Sequence, residues 1–345
     1  MSLGAISKCV LASLLLSAVT ALPAWAQSAA EWDKIVAAAK KEGKVVVYSG
    51  AAPASFKKPV ELFEKATGIS VEILIGRGAE IRERVRTERS FNRNIGDVLI
   101  NGLSTATGQM NAGDLEPHGP LPNASRLISP FNIAPFDHTD LIMPTNATSW
   151  ALAVNTNLVK PGEEPKSWKD LLDPKWKGKI IVDNPLSNGS GQSTMAILLE
   201  KYGRDFVEKL KAQNLTLSDQ YTIAEQRLAR GEFSVYSPFI VSETFNLKGL
   251  PVKGIVPEEG KTYSSQMIGV LQGSPHPNAA RVFINYIFSD EAQTTFADLG
   301  YTSPTGIVSK TIPDDLKPLM GGKLLDIMTD ERLNQDIPVL EQIFK

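Results

Sequence analysis

Residues 32–50, WDKIVAAAKKEGKVVVYSG, carry the pattern that decides the fold of this chain. The first half of the stretch has apolar residues at helical spacing and ends at Gly43, a residue that commonly stops a helix. The second half is a β-branched run, residues 44–48, which is typical of a buried strand and is followed by Ser49 and Gly50. The stretch therefore predicts a helix, a turn and a strand that ends in a small polar loop.

The same alternation continues along the first third of the chain. Phe56 and Phe63 mark an amphipathic helix, residues 69–75 predict a second strand, and residues 80–88 predict a charged helix. A third apolar run covers residues 97–100. Strands that alternate with helices indicate βαβ units and a parallel sheet, so we expect an α/β fold.

Three loops follow the three predicted strands, at residues 49–51, 76–78 and 101–104. In sheets of this kind ligands bind beyond the carboxyl ends of the strands. Each loop contains a glycine, which lets a ligand approach the backbone closely. We therefore expect the three loops to lie on one ligand-binding rim.

The second half of the chain is less regular. Residues 113–140 are rich in proline and predict a long surface connection. A strand-like pattern returns at residues 146–157, and the tail, residues 313–345, is predicted to be helical. No internal repeat is present.

Two further strand ends in the second half carry polar residues. Residues 180–182 predict a strand, and residues 188–193 (NGSGQS) open the helix that follows it. The free N–H groups and hydroxyls of this helix start suit an anion, although Ser190 as an ordinary helix cap explains the pattern equally well. A strand at residues 232–236 is expected to end there, which places Tyr236 next to a loop.

Three more side chains are candidates for ligand contacts. Arg77 stands between two glycines at a predicted strand end, either as a bidentate clamp on a carboxylate or phosphate or as a surface arginine. Tyr221 and Tyr236 follow polar runs at predicted loop positions. Each of these tyrosines either faces the ligand or packs at the edge of the core.

The composition excludes several classes of protein. The chain has 345 residues, 42% of them hydrophobic and 21% charged, which suits two domains with real cores and excludes general disorder. A net charge of −2 argues against a nucleic-acid partner, which would require a basic surface. Three histidines and one cysteine disfavour a zinc scaffold and exclude a disulfide framework.

The first 26 residues are predicted to be a cleaved secretory signal. Lys8 is followed by an apolar run at residues 9–22 and by the small-x-small site Ala24-Trp25-Ala26. A membrane anchor is the alternative, but a run of about 14 residues falls short of the roughly 20 that span a bilayer. A lipoprotein is a further alternative because Cys9 is the single cysteine, but Cys9 precedes the apolar run. We therefore expect a periplasmic protein.

No catalytic motif is convincing. The stretch from Gly254 to Thr262 ends in Gly-Lys-Thr, but five residues separate its glycines where a phosphate loop has four. The three histidines, His118, His138 and His276, are scattered along the chain. Nothing in the sequence pairs a nucleophile with its base, so no catalytic residue is predicted.

Several stretches resemble one family, the extracellular solute-binding proteins of ABC importers, in the subgroup often named for ferric iron. The resemblance is carried by residues 32–50, by FEKATGISVE (63–72), VNTNLV (154–159), PKSWKDLLDPKWKGK (165–179), Gly231-Glu232 and PHPNAARVFINYIFSDEAQ (275–293). These stretches span most of the chain in the expected order.

The resemblance implies a two-lobed α/β fold, the periplasmic binding protein of the second type, with hinge strands that cross between the lobes at residues 146–157 and 256–266. Residues 27–145 plus 256–305 would form the first lobe, and residues 146–255 plus 306–345 the second. The lobes would close over the ligand by hinge motion, and an ABC permease in the inner membrane would recognise the closed form. A monomer without cofactor or resident metal is expected.

The resemblance leaves the ligand open between ferric iron and a small organic anion such as a carboxylate, phosphonate or sugar phosphate. Ferric-binding members use two adjacent tyrosines after the strand that corresponds to residues 232–236, and an early cleft histidine. Here Tyr236 is followed by Ser237, and Ser49-Gly50 stands at the early position. Because Fe³⁺ requires anionic oxygen donors, we favour the organic anion.

The residues expected to bind the ligand are Ser49, Gly50, Arg77, Asn101, Trp150, Ser190, Gly191, Gln192, Tyr221, Tyr236 and Ser237. Two other functions stay open at this point. An exported enzyme with a two-lobed cleft would need a histidine or paired carboxylates on the rims, and the predicted rims show neither. A ligand carrier for a sensory receptor would share the same binding chemistry.

Overall fold

The computed structural model describes residues 24–50, 54–136, 140–187 and 189–345. The predicted signal therefore lies almost wholly outside the described residues. None of the helices in the described part of the chain is long and apolar enough to cross a membrane.

The strands in the described residues are, in chain order, β1 (Lys44–Ser49), β2 (Ser70–Ile75), β3 (Val98–Gly102), β4 (Leu115–Glu116), β5 (Met143–Asn155), β6 (Ile180–Asp183), β7 (Thr216–Ser218), β8 (Val235–Ile240), β9 (Val252–Ile255), β10 (Lys261–Leu271) and β11 (Leu324–Ile327). The α-helices are α1 (Ala24–Glu42), α2 (Ala54–Thr67), α3 (Gly78–Ser90), α4 (Leu103–Asn111), α5 (Ser190–Tyr202), α6 (Arg204–Lys211), α7 (Tyr221–Ala229), α8 (Pro277–Ile287), α9 (Asp290–Asp298), α10 (Lys317–Gly321) and α11 (Asp330–Phe344).

The strands join in one curled sheet, in the order β2-β1-β3-β10-β5-β8-β6-β7. In the first half of the sheet, β1 lies between β2 and β3 and runs parallel to both, as the βαβ pattern predicts. In the second half, β6 lies between β7 and β8 and runs parallel to both. The remaining strands β4 and β11 pair with β10, and β9 pairs with β5.

The long strands β5 and β10 connect the two halves. They pair antiparallel to each other from Met143 to Trp150 of β5. The other edge of β10 pairs with β3, and the far end of β5 pairs with β8 and β9. Both halves are therefore built on the same central pair of strands.

Each half has its own hydrophobic core, made from segments that are far apart in sequence. In the first half, Phe56 and Phe63 of α2 meet Phe296 and Phe283 of the late helices, with ring centroids 5.2 and 5.1 Å apart. In the second half, Leu340 of α11 packs in the cluster that also holds Trp168, Trp176 and Phe206. The chain therefore returns to the first half through α8 and α9, and to the second through α11.

The structure corrects three local predictions. The proline-rich segment does not simply run over the surface, because Leu121, Leu127, Phe131 and Phe136 are buried in the core. The tail includes the strand β11 besides its helices. Strand β8 begins later than predicted and continues through Ser237 and Pro238 to Ile240, since both β5 and β6 supply it with strand partners.

Candidate functional site

The strand registers place the carboxyl ends of the two halves opposite each other. Strand β3 ends at Gly102, which pairs with Gln266, and Gln266 pairs in turn with Asn146 of β5. Strand β8 ends at Ile240, which pairs with Trp150 of the same β5. Because β3 and β8 run in opposite directions, their ends point toward each other and are offset along the strands by residues 146–150, about 13 Å at the usual rise of about 3.3 Å per residue. The strands β10 and β5 also separate the two ends across the sheet.

The first rim is formed where β1 and β3 end. Ser49 lies between Ile75 and Ile100 in the sheet and is buried. Gly50 follows it and lies against Asn101, so closely that a Cβ atom on Gly50 would be 2.4 Å from the Asn101 Oδ1 atom. This contact is the physical reason for a glycine at position 50.

Asn101 is the polar centre of this rim. Its side chain is only 3% exposed, and its Oδ1 accepts a hydrogen bond of 3.0 Å from the backbone N–H of Gly102. Its Nδ2 has no hydrogen-bond partner among the described residues. A buried donor without a partner costs free energy, so this amide is set to donate to something outside the chain.

Arg77 lies on the same edge of the sheet, directly after β2. Its side chain is exposed and its residue caps α3, with its backbone N–H donating to the Glu80 carboxylate at 2.9 Å. The next residue, Gly78, comes close to Asn101 and Thr105. The structure therefore brings Ser49, Gly50, Arg77 and Asn101 onto one rim, but it leaves the guanidinium in solvent.

The second rim is formed at the end of β6 by a carboxylate that the sequence analysis did not single out. Asp183 is 8% exposed, and its two oxygens accept hydrogen bonds from the Tyr236 hydroxyl at 2.8 Å and from Ser190 Oγ at 2.6 Å. Burial raises the pKa of Asp183, and these two bonds oppose the rise. Burial and the Asp183 charge raise the pKa of Tyr236, so its phenol keeps its proton.

The helix start that was predicted to hold an anion lies against this carboxylate. Gly191 packs so closely that a Cβ atom there would be 2.5 Å from the Asp183 carbonyl oxygen, and Gln192 is buried beside it. Asn188 lies outside the described residues. The N-terminus of α5 thus already faces a carboxylate of the protein.

Two more carboxylates, Glu225 and Glu243, lie near Asp183 on the second rim. Glu225 of α7 is 4% exposed, and its Oε1 has no hydrogen-bond partner in the part of the chain that the structure describes. Burial, followed by the charges of Glu243 and Asp183, raises the pKa of Glu225 to about 8. Sequence reasoning missed Glu225 because a glutamate inside a helix ordinarily faces solvent.

Tyrosines connect this acidic cluster to the first half of the molecule. Tyr221 is the first residue of α7 and is 40% exposed, and burial together with the Glu243 and Glu225 charges raises its pKa. Burial and the Glu243 charge raise the pKa of Tyr301, which forms a hydrogen bond with Ser55 in the first turn of α2. The groups around the cluster therefore come from both halves.

The remaining predicted residues lie in strands. Trp150 is buried on β5, where it pairs with Thr262 of β10 on one side and with Ile240 of β8 on the other, so it forms part of the floor between the rims. Tyr236 and Ser237 do not occupy a loop, contrary to prediction, because both are buried inside β8. The prediction that the rims lack grouped carboxylates was also wrong, since the charges of Glu243 and Asp183 both act on Glu225.

A cavity of about 470 Å³ lies apart from the predicted ligand-binding residues. Apolar side chains of residues 128–131, 306–312 and 320–325 line most of it, together with Tyr301. No group of three or more His, Cys, Asp or Glu side chains is placed to hold a metal ion within the described ranges.

Comparison with known proteins gives one matching family. The sequence model of a family described as bacterial extracellular solute-binding proteins matches residues 98–336. A curated relative from Salmonella typhimurium named "Putative 2-aminoethylphosphonate-binding periplasmic protein" is 27% identical over 270 residues, which cover 74% of each chain.

Solved structures share the fold. A crystal structure from Bordetella parapertussis is 18% identical with a TM-score of 0.74, and the match covers 88% of this chain and 98% of that one. The ferric iron-binding protein A of Mannheimia haemolytica, in an open conformation, is 20% identical with a TM-score of 0.69, covering 87% and 97% of the two chains. These likenesses confirm the predicted two-lobed α/β fold.

Proposed function

Because the chain belongs to the bacterial extracellular solute-binding proteins, we propose that it captures a small organic anion between its two rims and delivers it to an ABC permease. Carboxylates, phosphonates and sugar phosphates are the candidate classes. The observation that carries the proposal is Asn101, whose buried Nδ2 has no partner among the described residues and lies on a rim with Arg77. Capture proceeds by closure of the two halves over the ligand, without chemical change.

The first rim is the anion side of this proposal. The helices α3 and α4 both begin there, but their first turns already face the carboxylates of Glu80 and Asp330, so the donor Asn101 Nδ2 and the cation Arg77 carry the assignment. The start of α5 on the other rim is a poor place for an anion, since the Asp183 carboxylate would repel it. We therefore assign the anionic group to Asn101 and Arg77, and not to residues 188–193.

Phosphonates are the first ligands to test. The Salmonella relative is named for 2-aminoethylphosphonate, and a phosphonate matches a rim of hydrogen-bond donors beside an arginine. Ferric iron is the alternative, because structures of iron-binding proteins share the fold. The missing second tyrosine opposes it, since Tyr236 is followed by Ser237 and Fe³⁺ requires several anionic oxygen donors.

The proposal is tested by native mass spectrometry of the freshly purified protein, before and after denaturation and refolding. A small organic species of mass below that of a nucleotide, released by denaturation, would support it. Incubation with that species should leave its mass unchanged, whereas a product of altered mass would mean an enzyme. Bound iron in place of an organic molecule would contradict the proposal.

Substitutions on the first rim test the anion assignment. We expect Asn101→Ala to weaken binding of the anion by about 1–3 kcal/mol, because it removes a buried donor. Arg77→Ala should weaken binding by about 1 kcal/mol, since this guanidinium is exposed and screened. Isothermal titration calorimetry would measure both changes.

The matched control is Arg82→Ala, which removes an exposed arginine from the same helix. It should leave the affinity unchanged. Equal effects of Arg77→Ala and Arg82→Ala would reduce the role of Arg77 to general surface charge, and an unchanged affinity in Asn101→Ala would remove the anion from this rim.

The division of the chain into lobes is also a proposal. We keep residues 27–145 plus 256–305 as the first lobe and 146–255 plus 306–345 as the second, and we expect a monomer. The closed form would present both lobes to the permease, so release of the ligand and opening of the lobes are one event.

A further inference from the structure

The second rim holds three carboxyl groups, although the proposed anionic group lies on the first rim. The charges of Glu243 and Asp183 act on Glu225, and none of the three forms an ion pair with a lysine or arginine in the described residues. Glu225 adds an independent sign of a missing partner, because its Oε1 is buried and accepts no hydrogen bond from any described residue. Buried carboxylates ordinarily have a paired charge or a full set of donors.

We propose that Asp183, Glu225 and Glu243 form a subsite for a protonated amino group of the ligand. The proposal rests on the proposed function, in which the first rim holds the anionic group of the same molecule. The ligand is then a zwitterion: its anion meets the donor Asn101 Nδ2, and its ammonium meets the acceptor Glu225 Oε1.

The geometry of the two rims matches this assignment. A donor without a partner lies on one side of residues 146–150 and an acceptor without a partner on the other. The rims are about 13 Å apart along the strands and are also separated by β10 and β5 across the sheet, so closure of the two halves would bring both charges of one small ligand into contact. Tyr221 at the start of α7 is 40% exposed and adds an aromatic ring to this rim, and aromatic rings attract cations.

The hydrogen bonds of the cluster favour an ammonium ligand over a bare anion. The Tyr236 hydroxyl and Ser190 each donate to Asp183, and Asn246 donates to Glu243 at 2.6 Å. These neutral donors hold two of the carboxylates in place without cancelling their charge. A primary ammonium brings three donors and one positive charge, which is what Glu225 lacks.

The groups facing Glu225 determine how the affinity for an amino ligand depends on pH. They are Asp183 on β6, Tyr236 on β8, Tyr221 on its own helix and Glu243 in the turn after β8, and none of them is a cation. An ammonium favours ionised Glu225, so binding should release a proton below a pH of about 8. The affinity for an amino ligand should therefore rise with pH up to about 8 and then level off.

The experiment compares anions with and without an amino group by titration calorimetry on the full mature chain. The pairs are 2-aminoethylphosphonate with ethylphosphonate, 3-aminopropylphosphonate with propylphosphonate, and β-alanine with propionate. We expect the amino member of at least one pair to bind about 100-fold more tightly or better, because a site with a buried acceptor rejects the analogue that leaves it empty.

Two variants locate the effect. Glu225→Gln should reduce the preference for the amino member at least tenfold and abolish the proton release, measured in two buffers of different ionisation enthalpy. Its fold is expected to survive, because Gln resembles protonated Glu, and circular dichroism would check this. Glu208→Gln, which removes an exposed glutamate from α6, is the matched control and should change neither readout.

The outcomes separate this proposal from the proposed function. Equal or tighter binding of the members without an amino group would overturn the ammonium subsite and leave an anion-binding protein. A preference that persists in Glu225→Gln would also overturn the subsite. Binding of Fe³⁺ alone, with no member of any pair bound, would overturn both proposals.

Discussion

Glu225 lowers the stability of the ligand-free protein, and in the proposed subsite it binds the positively charged group of the ligand. Its carboxyl is buried, and its Oε1 has no donor among the described residues, so ionisation of Glu225 is costly in the ligand-free protein. The same feature leaves it ready for a ligand that brings a positive charge. Binding sites often keep such groups at the expense of stability.

The raised pKa of Glu225 predicts that the effect of Glu225→Gln on the free energy of unfolding depends on pH. The pKa of Glu225 is about 8 in the folded protein and near 4.5 when unperturbed, so the folded wild type binds more protons between these values. Its free energy of unfolding should therefore fall as the pH rises from 4.5 to 8. The free energy of unfolding of Glu225→Gln, relative to that of the wild type, should therefore rise by on the order of 4 kcal/mol between pH 4.5 and 8.5.

Urea unfolding of the ligand-free proteins at both pH values measures this gain. Lys261, whose pKa burial lowers to about 7, titrates in both proteins, so its contribution cancels. Glu208→Gln should follow the wild type at both pH values. A constant difference between Glu225→Gln and wild type would show that Glu225 titrates normally.

Residues at strand ends could be predicted from the sequence, and residues within helices could not. Asn101 and Ser49 follow from the rule that ligands bind beyond the carboxyl ends of parallel strands. Asp183 also ends a strand, β6, and the same rule would have found it had the strand been extended by one residue. Glu225 gave no such signal, because its burial depends on how α7 packs against β6 and β8.

At the scale of elements, the start of α5 depends on the contact between Gly191 and the end of β6. A methyl group at position 191 would meet the Asp183 carbonyl, a backbone atom that cannot move without shifting the strand. The sequence showed two glycines and two serines here and suggested an anion site. The structure explains one of the glycines by close packing of helix and strand.

Gly191→Ala should therefore destabilise the protein by about 1–3 kcal/mol, as overpacking of a buried contact usually does. Thermal unfolding measures the change. Gly108→Ala is the matched control, because Gly108 lies in α4 with no atom within 4 Å of a Cβ, and this change should be neutral or stabilising. Equal melting temperatures for both variants would mean that α5 moves away from Asp183 without cost.

Helices and strands with a regular apolar pattern were predicted well, and their partners were not. The first three strands and their helices follow the sequence closely. The strand at residues 232–236 was predicted to end at Tyr236, yet β8 continues through Ser237 and Pro238 with a partner on each side. Long-range pairing decided this case, and a local pattern cannot show it.

At the scale of the whole molecule, the proposed closure over the ligand requires the two halves to move about β5 and β10. The Ser104 hydroxyl in the first turn of α4 donates to the Asp330 carboxylate at the start of α11, and α11 packs on α5 and α6 of the second half. This contact joins the two halves at a point away from the shared strands. A covalent link there would restrict their relative motion.

The double variant Ser104→Cys/Asp330→Cys tests the need for this motion. With the predicted signal removed, the chain has no other cysteine. We expect oxidation to slow ligand exchange at least tenfold, because a ligand covered by both halves leaves only when they separate. Stopped-flow exchange with and without reductant would measure it.

Each single cysteine variant serves as a control and should exchange ligand at the same rate with and without reductant. Identical rates for the oxidised and reduced double variant, with the disulfide verified by mass spectrometry, would mean that the ligand enters without separation of the halves. The family resemblance predicted that the chain crosses between the lobes. It did not predict that the ends of β3 and β8, at Gly102 and Ile240, point toward each other, which follows only from the strand registers.

The shared pair of β5 and β10 also constrains how such a protein can exchange parts with its relatives. The first core combines residues 39–143 with 268–296, and the second combines residues 152–235 with 340–343, so one crossover in the gene always makes at least one half a hybrid. A recombinant that replaces one whole half and keeps the other must exchange two separate segments at once. Gradual change of single rim residues is therefore the simpler evolutionary route to a new ligand.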